Sequence, residues 1–253
     1  MSFMDAPQRS DRFAEVRLLL EKARRVCAFT GAGISAESGI PTYRGTGGLW
    51  SGFSADEIAS PRGFARDPKR VWQWHNERRM ALANVKPNAG HAALAKLEEL
   101  VTSRGGQFAL ATQNIDGLHQ AAGSRHVLEL HGTILAIRCD TCGYRRAIGF
   151  EPIEGVPWCP KCRTFMRPDI VWFGETLPPD VWQRAAEAAA SADLFLAIGT
   201  SAIVYPAAGL IDLASRRGAR TVEINLEPTA ATGMVDVALH GKAGEILPAI
   251  LPA

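Results

Sequence analysis

The stretch Val26-Cys-Ala-Phe-Thr-Gly-Ala-Gly-Ile-Ser-Ala36 decides the fold. An apolar run of strand length passes directly into Gly31-x-Gly33-x-x-Ala36, a turn whose glycines let the backbone approach a phosphate. On its own such a turn is often only a turn. The arrangement recurs, however. The expected strand 107–111 leads into Thr112-Gln-Asn-Ile-Asp116, and 127–130 leads into His131-Gly132. Likewise 193–198 leads into Gly199-Thr-Ser201, and 220–224, the last strand expected, leads into Asn225-Leu-Glu227. Each strand places its unusual residues at its carboxyl end, the edge where open α/β sheets bind ligands. Helical stretches such as 91–100 and 180–190 lie between the strands. The fold class read from this is α/β, a parallel sheet covered on both faces.

Two segments break the alternation. One, about 45–87, starts as Gly-rich loop and turns helical near 70–82; the other, 133–167, is rich in Pro, Gly and Cys. Together they are expected to form a smaller lobe beside a main domain of 1–44, 88–132 and 168–253. Within 133–167, Cys139-x-x-Cys142 and Cys159-x-x-Cys162 are separated by sixteen residues. That spacing suits four thiolates on one tetrahedral zinc, a closed site that stabilises and does not activate water. At the N-terminus, Ser10 is expected to cap a helix burying Phe13, Val16, Leu19 and Leu20.

Composition narrows the class. With 28 Lys+Arg against 26 Asp+Glu the net charge is +2, little for a dedicated nucleic-acid binder. The fifth cysteine, Cys27, sits in an apolar run and reads as a small buried hydrophobe. Cysteine usage of this kind suits a reducing, cytoplasmic setting, and no run approaches the ~18 apolar residues of a membrane span. No secretory signal is apparent in the first residues, and no coiled-coil pattern suggests more than a monomer.

Chemistry must come from side chains other than the thiolates. His131 closes a strand beside Gln113, Asn114 and Asp116 from a neighbouring strand end, which points to a base in a polar pocket. Asp116 can equally cap the helix that follows it. His91 and His119 lie on helices without such company and read as structural. The fingerprint also departs from that of a dehydrogenase. No strand ending in an acid follows about 20 residues later; instead Pro41-Thr-Tyr-Arg44 and Gly45-Thr-Gly-Gly48 read as a loop over the ligand, leaving Glu227 to hold an adenosine ribose.

These residues resemble the sirtuin family of NAD-dependent protein deacylases, in particular its bacterial class III, desuccinylase/demalonylase-like branch. The resemblance is carried by Gly31 to Arg44, Thr112 to His119, Glu129-Leu-His-Gly132, both cysteine pairs, Val171-Trp-Phe-Gly-Glu175 and Gly199-Thr-Ser201, in family order over roughly 20–250. It implies a Rossmann-like large domain, a zinc-bearing small lobe, and a cleft between them for NAD and an acylated lysine. By resemblance, NAD would be bound by Gly31, Ala32, Gly33, Ile34, Ser35, Tyr43, Arg44, Gln113, Asn114, Ile115, Asp116, Gly199, Thr200 and Ser201. Asn225, Leu226, Glu227 and Ala243 would complete that set. His131 would be the general base, assisted by Asn114 and Asp116; Cys139, Cys142, Cys159 and Cys162 would hold zinc; Phe173, Val204 and Tyr205 would hold the peptide by strand addition.

One departure bears on selectivity. Relatives that take acidic acyl groups carry Tyr-x-x-Arg on the small-lobe helix, where this chain has His75-Asn-Glu-Arg78. Arg78 can still pair with a carboxylate, Ala55 and Ala59 leave room for a longer chain, and His75 is expected to donate a hydrogen bond. Because an unperturbed histidine titrates near ~6.5, acidic-acyl turnover is expected to weaken with rising pH. The alternative is that Glu77-Arg-Arg79 is merely a charged helix face. The activity expected is NAD-dependent lysine deacylation, acetyl and also acidic acyl. The alternatives are mono-ADP-ribosyl transfer from the same NAD site, or a non-catalytic NAD-sensing module.

Overall fold

The computed structural model describes residues 6–42 and 54–252, with side chains from Ser10 onward. In chain order the elements are α1 (Ala6–Lys22), β1 (Arg25–Thr30), a 3₁₀ turn (Ala32–Ser38), α2 (Ala55–Ile58), α3 (Pro61–Arg66), α4 (Pro68–Ala81), α5 (Ala89–Ser103), β2 (Gln107–Thr112), α6 (Leu118–Ala121) and β3 (Val127–Glu129). Then follow β4 (Gly132–Arg138), β5 (Arg145–Ala147), β6 (Arg167–Ile170), α7 (Pro179–Ser191), β7 (Leu194–Ile198), α8 (Gly209–Arg216), β8 (Arg220–Asn225), β9 (Val237–His240) and α9 (Ala243–Ile250).

Six strands form one parallel sheet in the order β3-β2-β1-β7-β8-β9. Its core follows from period-two alternation. Val26 and Ala28 of β1, with Leu194, Leu196 and Ile198 of β7, face one side, packed with Val16, Leu20, Leu94, Leu97 and Ile246. Cys27, Phe29, Phe195 and Ala197 face the other, against Ala185, Ala189, Leu210 and Ile211. Because both faces are covered, these strands read as unbroken apolar runs. The order reverses between β1 and β7, so the crevice outside their carboxyl ends is the topological switch point.

The two excursions pack together. A second sheet, β5-β4-β6, is antiparallel. Trp72 of α4 is buried with Ile137, Cys139, Ile148, Cys159 and Met166, and its indole N–H donates to the Met166 carbonyl at 2.7 Å. A buried tryptophan of this kind contributes about 3–5 kcal/mol. Beside it, Ala59, Val71, Ile134, Ile170 and Trp172 form a further cluster that receives Ile115 from the β2–α6 loop. The guanidinium of Arg79 donates to the carbonyls of Gly149 and Glu151, pinning α4 to the cysteine-bearing segment.

Three expectations are corrected. Helix α1 begins at Ala6, so Ser10 lies inside it and does not cap it. Strand β8 is not the last: β9, too short an apolar run to stand out, pairs with it at the sheet edge. The strands of the second sheet also escaped the reading, since β5 is wholly exposed and β4 is buried at every third residue, not every second. Among the described residues, no helix is long and apolar enough to cross a membrane.

Candidate active site

The loops after β1, β2 and β7 meet because glycine lets them. A Cβ on Gly31 would lie 2.8 Å from the Gly199 carbonyl oxygen, and one on Gly33 would lie 2.8 Å from Gly199 Cα. Gly199 itself has φ of +58, a conformation that favours glycine. The contact is closed by the Gly33 N–H donating to Gly199 O at 2.8 Å. These loops therefore form a bare backbone cradle of the kind a dinucleotide's phosphates need.

Around the cradle runs a polar network. Thr200 Oγ1 donates to Gln113 Oε1 at 2.9 Å. The Asn114 amide donates to Gly31 O at 3.1 Å and to Ser35 Oγ at 3.2 Å, and Ser35 Oγ donates to Asp116 Oδ2 at 2.8 Å. Asp116 Oδ1 also accepts the Leu118 N–H at 2.9 Å, so it caps α6 while facing Ser35. Burial raises the Asp116 carboxyl above its ordinary value, offset by these hydrogen bonds.

His131 joins β3 to β4. Gly132 beside it has φ of +72, and a Cβ there would collide with the Asp169 carbonyl at 2.1 Å. The His131 carbonyl accepts the Val171 N–H at 2.9 Å, and its Nδ1 lies 3.0 Å from Gln113 O. A carbonyl only accepts, so Nδ1 carries the proton and Nε2 keeps its lone pair. Burial lowers the ring's pKa below its ordinary 6.5, partly countered by the Gln113 hydrogen bond. The imidazole is thus oriented and, in its neutral form, presents an unprotonated Nε2.

The remaining cofactor candidates lie along the same edge. Asn225 donates to the Glu227 carbonyl at 2.8 Å, Leu226 is exposed, and Ala243 opens α9, where Glu37 accepts the Gly244 N–H at 2.7 Å. Tyr43 and Arg44 fall outside the described residues. Phe173 is 50% exposed, and its N–H donates at 2.9 Å to the carbonyl of Ala59, the residue that closes α2, whose first residue is Ala55. Val204 and the exposed Tyr205 follow the β7 loop.

On α4, Arg78 stacks on Trp74, its Cζ 3.5 Å from the ring centroid, and donates to Trp74 O at 3.0 Å. The pH dependence expected of His75 is overturned. The ring is only 2% exposed, and burial pushes its pKa down to about 3, so it stays neutral throughout the neutral range. Its Nε2 is 3.0 Å from Ile58 O and 3.3 Å from Trp172 Nε1. The Ile58 carbonyl can only accept whereas the Trp172 indole N–H donates, so the two contacts call for opposite tautomers. Nδ1 is buried and has no hydrogen-bond partner among the described residues.

His91 and His119 do have company. His119 Nε2 is 2.9 Å from Thr30 Oγ1, which donates to Thr112 Oγ1 at 2.8 Å; His91 Nε2 is 3.4 Å from Ser35 Oγ. The two rings lie 4.9 Å apart. Burial pushes His91 to about 4 and His119 to about 3, so both are neutral supports beneath the site. Asn88 and His91, spaced as a capping box on α5, were the available signal.

The thiolate set also converges: the sulfurs of Cys139, Cys142, Cys159 and Cys162 lie within 4.8 Å of one another, the span of a tetrahedral S₄ zinc site. Each pair forms the same turn, with Gly143 N–H donating to Cys139 O and Arg163 N–H to Cys159 O, both at 3.0 Å. Cys27 lies apart from them in the sheet core, where burial raises its thiol to about 12.

Residues 31–206 match the model of the Sir2 family. An NAD-dependent protein deacylase 2 of Pyrobaculum aerophilum is 50% identical over 92% of both chains. Among solved structures, a Sir2 homolog–NAD complex superposes with a TM-score of 0.87 at 42% identity, over 98% of this chain and 93% of that one. A Sir2 variant with deacetylated p53 peptide and 3′-O-acetyl ADP ribose gives a TM-score of 0.84 at 34% identity, over 94% and 96%.

Proposed function

The chain belongs to the Sir2 family, and from that premise we propose how its own residues carry out the family's reaction. The protein is an NAD-dependent protein deacylase that removes acyl groups from lysine side chains. NAD supplies the ADP-ribosyl group that takes the acyl group as nicotinamide leaves. Gly31 to Ser35 and Gly199 to Ser201 would hold its phosphates and ribose, Asn225 to Glu227 and Ala243 its adenosine end, and Asn114, Ile115 and Asp116 its nicotinamide end. Gln113 orients Thr200 through its side chain and His131 through its carbonyl. His131 Nε2 would take a proton from a ribose hydroxyl. The observation that carries this reading is the Nδ1–H of His131 held on Gln113 O, which leaves Nε2 a lone pair.

An acyl-lysine peptide incubated with the zinc-loaded protein and NAD is expected to release nicotinamide, and label from the adenosine of NAD is expected to leave as a small ester. Label retained on protein would instead indicate ADP-ribosyl transfer. No nicotinamide release with any acyl group would overturn catalysis altogether.

The peptide backbone lies between Phe173-Gly174-Glu175 and Val204-Tyr205, adding a strand, a mode that tolerates many sequences. Its acyl group points toward Ala55, Ala59, His75 and Arg78. Since His75 is neutral, the charge of a succinyl- or malonyl-type carboxylate is read by Arg78. Arg78→Met is expected to lower kcat/KM for succinyl-lysine by about 10–100-fold, the loss of a charge-assisted hydrogen bond. Acetyl-lysine turnover is expected to change little; equal losses on both would remove Arg78 from the acyl pocket. We further read the protein as a cytoplasmic monomer acting on acylated proteins rather than on nucleic acid or membrane. The near-balanced charge and four thiols gathered as ligands, not disulfides, support that reading.

A further inference from the structure

Val171 to Glu175 has no helix or strand of its own, yet it is held by a cluster of charge built around one buried arginine. At its centre is Arg167 of β6, with a side chain 1% exposed. Its Nη1 and Nη2 donate to Glu175 Oε1 and Oε2 at 2.5 and 2.9 Å, Nη2 also reaches Ile170 O at 2.8 Å, and Nη1 lies 3.2 Å from Asp140 Oδ2. The guanidinium carbon stands 3.3 Å from the centroid of the Trp172 ring. Glu175 Oε2 in turn accepts the Trp172 N–H at 2.7 Å. Arg138 joins from β4, donating to Asp140 at 2.8 Å and lying 3.4 Å from Glu175. Trp172 is therefore held both by its ring face and by its backbone, immediately before Phe173.

Burying an arginine and a glutamate costs several kcal/mol of desolvation per ion, and packed hydrophobes would hold a lobe together at least as well. What this cluster adds is direction. Two parallel N–H···O bonds fix the plane of the Glu175 carboxylate, and that carboxylate fixes the backbone N–H of Trp172. The same segment reaches the base, since Val171 N–H donates to the His131 carbonyl. Asp140 lies between Cys139 and Cys142, so the cluster spans from the cysteine turn to the peptide edge.

We propose that Arg167, acting through Glu175, is a positioning residue for the substrate peptide: it holds 171–175 in the shape to which the peptide backbone adds. This rests on the reading that Phe173 and its neighbours bind peptide. Arg167→Ala empties a buried site, so the isosteric Glu175→Gln is the primary variant, with thermal denaturation followed alongside. Anisotropy of a labelled acyl-lysine peptide is expected to show a Kd raised about tenfold, the loss of one charge-assisted hydrogen bond. The KM for peptide should rise in parallel, while ADP-ribose affinity stays within about twofold. Unchanged peptide affinity, or equal losses for peptide and ADP-ribose, overturns the proposal. Phe173→Ala separates the two readings. If it too leaves peptide affinity unchanged, the peptide site itself is misplaced; if it weakens peptide binding and Glu175→Gln does not, only the positioning role falls.

Discussion

Replacement of His131 by alanine is expected to lower turnover by about 10²–10⁴-fold, the contribution of a positioned general base. ADP-ribose affinity should remain near that of the parent. The reason for the split is geometric: the cradle is built from backbone at Gly31, Gly33 and Gly199, and none of those contacts passes through the imidazole. Gln113, which orients His131 by its carbonyl, keeps its side chain on Thr200 whether or not the ring is present. The pH profile supplies a second check. A base works unprotonated, so activity rises as pH rises through the folded pKa of His131. Burial lowers that pKa below 6.5, so the limb lies on the acid side and the profile is level from neutrality upward. His75, held at about 3, adds no limb in that range for any acyl group. An alanine variant with parental turnover, or one that loses ADP-ribose binding in proportion, would show that the ring is not the base.

Removing zinc is the second large effect. Structural zinc contributes about 10–16 kcal/mol in small zinc-finger peptides, so its loss is expected to unfold the segment it staples. Here that segment carries half of a core: Cys139 and Cys159 are buried with Ile137, Ile148 and Met166 against Trp72. Chelation, or Cys159→Ser, is expected to release zinc mole for mole, to shift tryptophan emission to the red, and to abolish turnover. Nucleotide binding should survive in part, since the six-stranded sheet buries its own two faces with none of these residues. Retained emission and turnover after complete chelation would show that the four thiolates do not hold the lobe together.

How much of this was legible in advance depends on the range of each interaction. The strands of the main sheet could be read because two covered faces demand apolar runs, and the glycines because the turns after β1 and β7 leave no room for a Cβ. The cysteine pairs were legible because metal ligation imposes spacing. Strand β9 and the strands of the second sheet were not, since a short or half-exposed strand leaves no period to detect. The partner of His119 was hidden for another reason: Thr30, the residue it meets, is 89 positions away, and nothing near position 119 announces it.

By itself, then, the amino-acid sequence determined a nucleotide-binding parallel sheet, a four-thiolate insert, and a histidine delivered at a strand end. Those properties follow from local sterics and from ligand chemistry, which act over a few residues. Only the tertiary structure decided which nitrogen of His131 bears its proton, that His75 is buried and neutral, and that Arg167 and Glu175 lock the 171–175 segment. A proton's position and a side chain's desolvation depend on groups that the fold gathers from distant parts of the chain, and no spacing along it records them.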